Sequence, residues 1–295
     1  MNSALLVRNL SKSYAHIPVL KDVSIDIPNG KIIGLIGKNG SGKSTLIKCM
    51  LHLIPFEEGV VHILNTDSNK TLGDDIGFYI PEANFYPNFS GKQNLSYFLG
   101  VEESQLSSFN DLFRSFLMSE AMEKKYRAYS LGMKQRFGLM FTLIQKKQYY
   151  LFDEPISSLD HQGQLIFNEV IKKKAREDNC GILIVSHQLE VLESFCDEIY
   201  MMNDCEIKQL TSSKTNHIYR LAFADQSAAK MAVEQIGLTV IFINDFTIEL
   251  ELSLENEIES VIQRVSSLHL RQVIKVQETL AQRYENALGG ETHEK

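Results

Sequence analysis

Gly37-Lys38-Asn39-Gly40-Ser41-Gly42-Lys43-Ser44-Thr45 follows the short apolar run Ile32 to Ile36 and leads into Ser44 to Leu53, a stretch with helical spacing. Strand, tight loop and helix in that order are the setting of a phosphate-binding loop, and the segment meets the pattern G-x-x-x-x-G-K-[ST] in full. The glycines let backbone N–H groups curl around phosphate oxygens while the helix start presents its positive end. Lys43 places an ammonium between β and γ phosphates, Ser44 is a magnesium ligand, and Thr45 lies close enough to help hold the α-phosphate. Gly37, Asn39, Gly40, Ser41, Gly42, Lys43, Ser44 and Thr45 are thus the phosphate-binding residues. A glycine-rich turn before an ordinary helix is the competing reading, and the preceding strand and the lysine weigh against it.

A second signal lies downstream, where Tyr149-Tyr150-Leu151-Phe152-Asp153-Glu154 is an apolar strand ending in two acids. Nucleotide hydrolysis needs two such groups: Asp153 to bind the magnesium shell and Glu154 to polarise the attacking water. His187 follows the apolar run Gly181 to Val185 through Ser186, at the strand end where a parallel sheet presents ligand-facing residues. It is placed to donate to the γ-phosphate and orient the water. Taken alone such a histidine is more often a packing residue, and its position after the Asp-Glu strand reverses that preference.

The chain has 295 residues, long enough for one large core and a smaller appended one, and 44% hydrophobic content excludes a disordered protein. The net charge of -7, from 30 basic and 37 acidic residues, provides no overall field for nucleic acid or an anionic membrane, so no nucleic-acid partner is expected. Cys49, Cys180, Cys196 and Cys205 lack the paired spacing of zinc or redox sites and read as buried thiols of a reducing cytosol. The N-terminus is too polar for a secretory signal, and no apolar run approaches the ~18 to 20 residues that span a bilayer. Any membrane part must come from another chain.

Leu5 to Val7, then Val23, Ile25 and Ile27 before Pro28-Asn29-Gly30, read as antiparallel strands around a hairpin-like turn. Asn94 to Lys125 is helical in character, with Phe98, Leu106, Leu112, Phe113, Phe116 and Leu117 as its apolar side. Gln164 to Ala175 is an amphipathic helix between two buried strands, a βαβ unit. After about Thr211 the pattern changes. His217 to Ala224 reads as a strand, Ala228 to Ile236 as a helix, and Thr239 to Ile243 with Phe246 to Leu252 as a hairpin. Phe246, Ile248, Leu250 and Leu252 form the dry face of its second arm. A helix carrying Leu254, Ile258, Val261, Ile262 and Val265 follows, then a strand over Leu270 to Val276 and a polar terminal helix. The order βαββαβ is that of a small ferredoxin-like domain.

Together these residues resemble the ATPase subunit of an ABC transporter, over roughly residues 4 to 210. The resemblance implies an α/β fold: a P-loop NTPase of ABC ATPase type over 1–210, with an antiparallel β-subdomain and a helical subdomain at about 90–147, followed by a small C-terminal α+β domain over 211–295. It implies ATP and Mg²⁺ as ligands, Glu154 as the catalytic glutamate and His187 as the switch histidine. Ser158-Leu159-Asp160 resembles the D-loop that crosses the dimer interface, and the resemblance implies that Asp160 is a nucleotide-contacting residue. Tyr129-Ser130-Leu131-Gly132-Met133-Lys134-Gln135-Arg136 resembles the family signature Leu-Ser-Gly-Gly-Gln, with Leu131 replacing a glycine and Met133 the glutamine. The retained Ser130 and Gly132 are expected to contact the γ-phosphate bound by the opposite subunit. Tyr14 fits the aromatic position that stacks on adenine. Glu82 falls where many relatives place a glutamine that senses magnesium and the membrane partner, which implies a third metal residue beside Ser44 and Asp153, acting through water, and a coupling role.

The partners so implied are a polytopic membrane permease and a second ATPase subunit, identical or different, on the cytoplasmic side of the membrane. The form of the signature resembles subunits that export drugs, lantibiotics, bacitracin-type antibiotics or other amphipathic peptides. A soluble ABC-type ATPase acting on ribosomes or nucleic acid is the alternative; the long coiled-coil arms, zinc insertions or second cassette of such proteins are not found here. A nonhydrolytic nucleotide-binding scaffold is disfavoured by Lys43, Asp153, Glu154 and His187.

Overall fold

A computed structural model describes residues 4–64, 72–79, 85–157, 159–210, 217–238, 240–252, 257–276 and 284–285. The chain divides into two compact units, Met1–Leu210 and Thr211–Lys295.

In the first unit, β1 (Ala4–Tyr14) and β2 (Ile17–Pro28) pair antiparallel before β3 (Ile32–Ile36) and α1 (Lys43–Met50). The two residues between β1 and β2, Ala15 and His16, both have positive φ, 47° and 67°. The hairpin turn is therefore here, without the Gly or Asn that usually announces such a turn, whereas Pro28-Asn29-Gly30 joins β2 to the core strand β3. Next come β4 (Glu58–Ile63), α2 (Leu72–Asp75), β5 (Ile76–Tyr79), α3 (Gly91–Leu99), α4 (Asn110–Ser115), α5 (Leu131–Ile144) and β6 (Tyr149–Asp153). The unit ends with α6 (His161–Glu177), β7 (Gly181–Ser186), α7 (Leu189–Glu193), β8 (Glu198–Asn203) and β9 (Glu206–Gln209).

Its strands form a three-stranded antiparallel sheet, β2-β1-β4, and a six-stranded sheet, β5-β6-β7-β3-β8-β9. The latter is parallel except for β9, which pairs antiparallel with β8. Every residue of β3 and β7 is buried, the signature of central parallel strands covered on both faces. Ile36 is level with Ser186 and Asp153 with Val185, so β3, β6 and β7 deliver their last residues to one edge. In a parallel sheet, ligand-facing residues collect at such an edge.

The helical segment after β5 starts with a capping box at Ser90 and Gln93, and Gly100 closes α3 with φ 66°. Phe85 packs edge-on against Phe137 of α5 at 4.7 Å between ring centroids. Phe137 is fully buried, and its truncation to alanine would cost about 3–5 kcal/mol. Leu106, Phe113 and Phe116 are buried as their spacing predicts, but Phe98 and Leu117 are exposed. The helical segment is built of 3-10 turns and short helices, and Leu117 sits in a left-handed turn with φ 55°, which rotates it outward. Cys49 and Cys180 are buried, while Cys196 and Cys205 are only partly so. Cys205 occupies the two-residue turn between β8 and β9, which faces solvent.

The second unit comprises β10 (His217–Phe223), α8 (Gln226–Ile236), β11 (Val240–Asn244), β12 (Thr247–Leu252), α9 (Glu257–Val265) and β13 (Leu270–Val276). Its sheet runs β11-β12-β10-β13 with all neighbours antiparallel, a split βαβ arrangement. Asp225 caps α8 through the Ala228 N–H, and Gly237 ends it with φ 68°. Leu221, Phe223, Ala229, Ala232, Ile248, Leu250 and Val265 share its core. Phe246 departs from the alternation: it lies in the turn before β12, exposed, with its N–H donating to Asn244 Oδ1 at 3.1 Å, and Thr247 is buried instead. Of the polar terminal helix only residues 284–285 are described, and they are helical.

Candidate functional site

The loop after β3 needs glycine at two positions for steric reasons. A Cβ on Gly37 would stand 2.6 Å from the Met202 carbonyl oxygen and 2.7 Å from Ser41 Oγ; one on Gly42 would meet the Val19 carbonyl at 2.8 Å. Gly42 also has φ 108° and is the residue from which α1 starts, so the first N–H groups of that helix face the loop. Lys43 is 6% exposed, and its ammonium donates to the carbonyls of Gly37 at 2.7 Å and Lys38 at 2.9 Å. Burial pushes its pKa down, against the opposing pull of Glu154 and Asp153.

Asp153 ends β6 and accepts a hydrogen bond from Ser44 Oγ at 2.7 Å, so the two oxygens expected to hold a metal are neighbours across 109 residues of sequence. Glu154 turns off the strand with φ 48°, its N–H held by the Val185 carbonyl at 3.0 Å. Such a left-handed residue stores local strain of order 1 kcal/mol and aims the side chain away from the strand direction. His187 lies just past β7 with Nδ1 2.9 Å from Glu154 Oε1, within hydrogen-bond distance. Ser186 Oγ is 3.5 Å from the other oxygen.

Tyr14, Val19, Asn39, Gly40, Gly42, Lys43, Ser44, Thr45, Asp153 and Glu154 line one cavity of about 340 Å³. These residues fit a magnesium nucleotide. Ser41 Oγ is buried in the loop without a hydrogen-bond partner, the Gly37 and Gly42 backbone leaves room where a side chain would clash, and Ser44 with Asp153 supplies hard oxygen donors. Tyr14, at the last position of β1, is 48% exposed, as a ring awaiting an apolar partner would be.

Ser130, Gly132 and Asp160 are not among the residues lining that cavity. Ser130 caps α5, accepting from the Met133 N–H at 3.3 Å, and it is exposed. Asp160 caps α6 through the Gly163 N–H at 2.9 Å and accepts from Arg136 Nη2 at 2.6 Å. The Arg136 hydrogen bond, with that of Gly163, holds the Asp160 carboxyl below the usual carboxylate range. Beside it, Gln135 Nε2 donates to the Pro155 carbonyl at 2.8 Å. Sequence reasoning passed over Gln135 and Arg136; their bonds reach 20 and 24 residues along the chain and leave no local signal. Glu82 and Ser158 lie outside the described residues.

Residues 20–157 match the family described as ABC transporter. The uncharacterized ABC transporter ATP-binding protein YdbJ of Bacillus subtilis (strain 168) is 30% identical over 78% of this chain and 73% of its own. This chain belongs to the ABC transporter ATP-binding family. The bacitracin transport ATP-binding protein BcrA of Enterococcus faecalis is 29% identical over 84% of this chain and 82% of its own. Among solved structures, an ATP-binding subunit of an ABC transporter superposes with a TM-score of 0.63 at 26% identity, over 69% of this chain and 88% of that one. Membership makes the chain an ATP-binding and ATP-hydrolysing cassette. The P-loop fold, the helical subdomain and the smaller C-terminal α+β region all accord with the sequence reading.

Proposed function

We propose that this ABC ATPase powers the export of a drug or amphipathic peptide through a separate polytopic membrane subunit, working as one of two ATPase subunits on the cytoplasmic face. What carries the hydrolytic part of the reading is the pair of contacts Ser44–Asp153 and Glu154–His187 beside one glycine-lined cavity. The export part draws on the relative named for bacitracin transport and on the Tyr129-Ser130-Leu131-Gly132 form of the signature. No described helix is long and apolar enough to cross a membrane, so the permease is a different polypeptide in this scheme.

Mg-ATP, when bound, would supply the phosphoanhydride bond and the metal charge that makes the γ-phosphorus easier for water to attack. Gly37, Asn39, Gly40, Ser41, Gly42, Lys43 and Thr45 hold the phosphates, and Ser44 with Asp153 hold the metal. Glu154 accepts the proton of the attacking water, and His187 keeps the carboxylate aimed by its N–H. Tyr14 covers the base. Ser130 and Gly132 close on the nucleotide of the second subunit, Asp160 steadies the intervening D-loop, and Glu82 relays the state of the site to the permease.

The test is transport itself. The chain is isolated with its membrane partner, reconstituted into inverted vesicles and supplied with bacitracin and ATP. ATP-dependent peptide accumulation is the expected result. Isolation with ribosomes or nucleic acid instead, and no transmembrane partner, would sink the export reading.

A further inference from the structure

We propose that Lys12 and Glu57 set the working orientation of the Tyr14 ring, which makes Lys12 a positioning residue for the nucleotide base. The proposal deepens, and rests on, the reading of Tyr14 as the platform for adenine. Lys12 is two positions before Tyr14 on β1, only 9% exposed, with its ammonium 5.2 Å from the centroid of the Tyr14 ring. Few lysines are buried to that degree without a partner, and this one donates to Glu57 Oε1 at 3.0 Å. The second oxygen of Glu57 accepts the Ser13 N–H at 2.8 Å, and the Glu57 N–H donates to the Ser11 carbonyl at 3.0 Å. A single carboxylate thus fixes the backbone on one side of Tyr14 and the cation that faces its ring.

An exposed tyrosine is otherwise free to rotate about its side-chain bonds, and stacking a base on it costs that freedom. A cation held over one face removes the freedom beforehand. It also decides which face is used: the ammonium occupies one side, and the other is left for a purine above the cavity that Tyr14 shares with Lys43 and Thr45. The phosphate loop has no contact with Lys12 or Glu57 among the described hydrogen bonds, so the device acts on the base and not on the phosphates. Sequence offered no hint of it, because Lys12 and Glu57 are 45 residues apart.

The experiment is calorimetric titration of the full chain with Mg-ADP and, separately, with Mg-pyrophosphate, which carries no base. Lys12→Met keeps the apolar stem and removes the charge. It is expected to weaken Mg-ADP about three- to fivefold, the worth of a cation–π contact at a half-exposed site, and to leave Mg-pyrophosphate unchanged. The same substitution should be silent once Tyr14→Ala is present. Glu57→Gln, which retains an acceptor for the Ser13 N–H, should give a smaller loss with the same preference for Mg-ADP. Equal losses for both ligands, or a Lys12→Met effect that persists undiminished beside Tyr14→Ala, would reduce the trio to a pin between strands and overturn the proposal. If Tyr14→Ala alone binds Mg-ADP as the unaltered protein does, the platform reading fails first and takes the proposal with it.

Discussion

Tyr14, Lys43, Ser44, Asp153 and Glu154 come from separate stretches of chain yet line one cavity, whereas Ser130 and Gly132 sit at the start of α5 outside that lining. Both regions present the N-terminus of a helix, α1 in one case and α5 in the other. Only the first is surrounded by a lysine, an acid pair and a metal-competent hydroxyl. A helix start with an exposed serine and no such company has little to bind in its own chain. In the proposed pair of subunits it would become the missing wall of the other's cavity. On the proposed pairing, one chain carries a nearly complete site for binding and an incomplete one for turnover, and the two can be separated by experiment.

The gathered region breaks most severely at Glu154. Glu154→Gln removes the proton acceptor while Ser44, Asp153 and Lys43 stay in place, so phosphate release should fall by about 10²–10⁴. Mg-ADP affinity, read by calorimetry, should stay within about twofold of the original. A variant that still turns over at the original rate would remove Glu154 from the chemistry. The next largest effect is expected at Lys43, whose buried ammonium is the cation held inside the loop. Lys43→Ala should weaken Mg-ADP about ten- to a hundredfold, the usual worth of a charge-assisted hydrogen bond, and turnover should fall with it. Unaltered affinity would mean that the backbone amides alone suffice.

The outlying region needs a variant that leaves its local structure intact. Ser130→Asp keeps a good helix cap on α5 but brings a carboxylate to a turn proposed to meet phosphate. Thermal unfolding and Mg-ADP affinity of the isolated chain should hardly change, while turnover of the paired assembly should drop about tenfold or more. Turnover that survives this charge would place Ser130 away from any nucleotide, and the shared-site scheme would go with it.

The same contrast governs what could be read from the sequence. Lys43, Ser44 and the strand ends at Asp153 and His187 were legible because loop, helix start and strand end are local features, each fixed by a few consecutive residues. Their convergence on one sheet edge follows from parallel β3, β6 and β7. The Ala15-His16 turn was not legible, since neither residue advertises a positive φ. Phe246 was assigned to a dry face because a period of two extends an alternation as readily into the turn as along the strand. The Lys12–Glu57 and Arg136–Asp160 bonds join remote residues of ordinary type, and only folding brings them together.

Asp160 yields the smallest effect, and it decides which region that residue serves. Sequence resemblance makes it a nucleotide contact, yet in the chain it caps α6 and pairs with Arg136, whose side chain is itself largely covered. Asp160→Asn keeps the cap, because asparagine serves that position as well as aspartate does, and removes only the charge. The Arg136 hydrogen bond lowers the carboxyl pKa in the folded chain relative to the unfolded one. A depressed pKa adds stability that is fully present above the unfolded carboxylate value, about 4, and is lost as the pH falls through the folded value. The melting temperature of Asp160→Asn should therefore lie slightly below that of the unaltered protein at pH 7, and the gap should close on acidification below about pH 4. Mg-ADP affinity of the isolated chain should be the same in both. A gap that stays constant with pH would show that the amide damages the cap and not the ion pair. A loss of Mg-ADP affinity at pH 7 would move Asp160 into the gathered region after all, and the boundary between the two halves of the site would have to be redrawn between Arg136 and the D-loop.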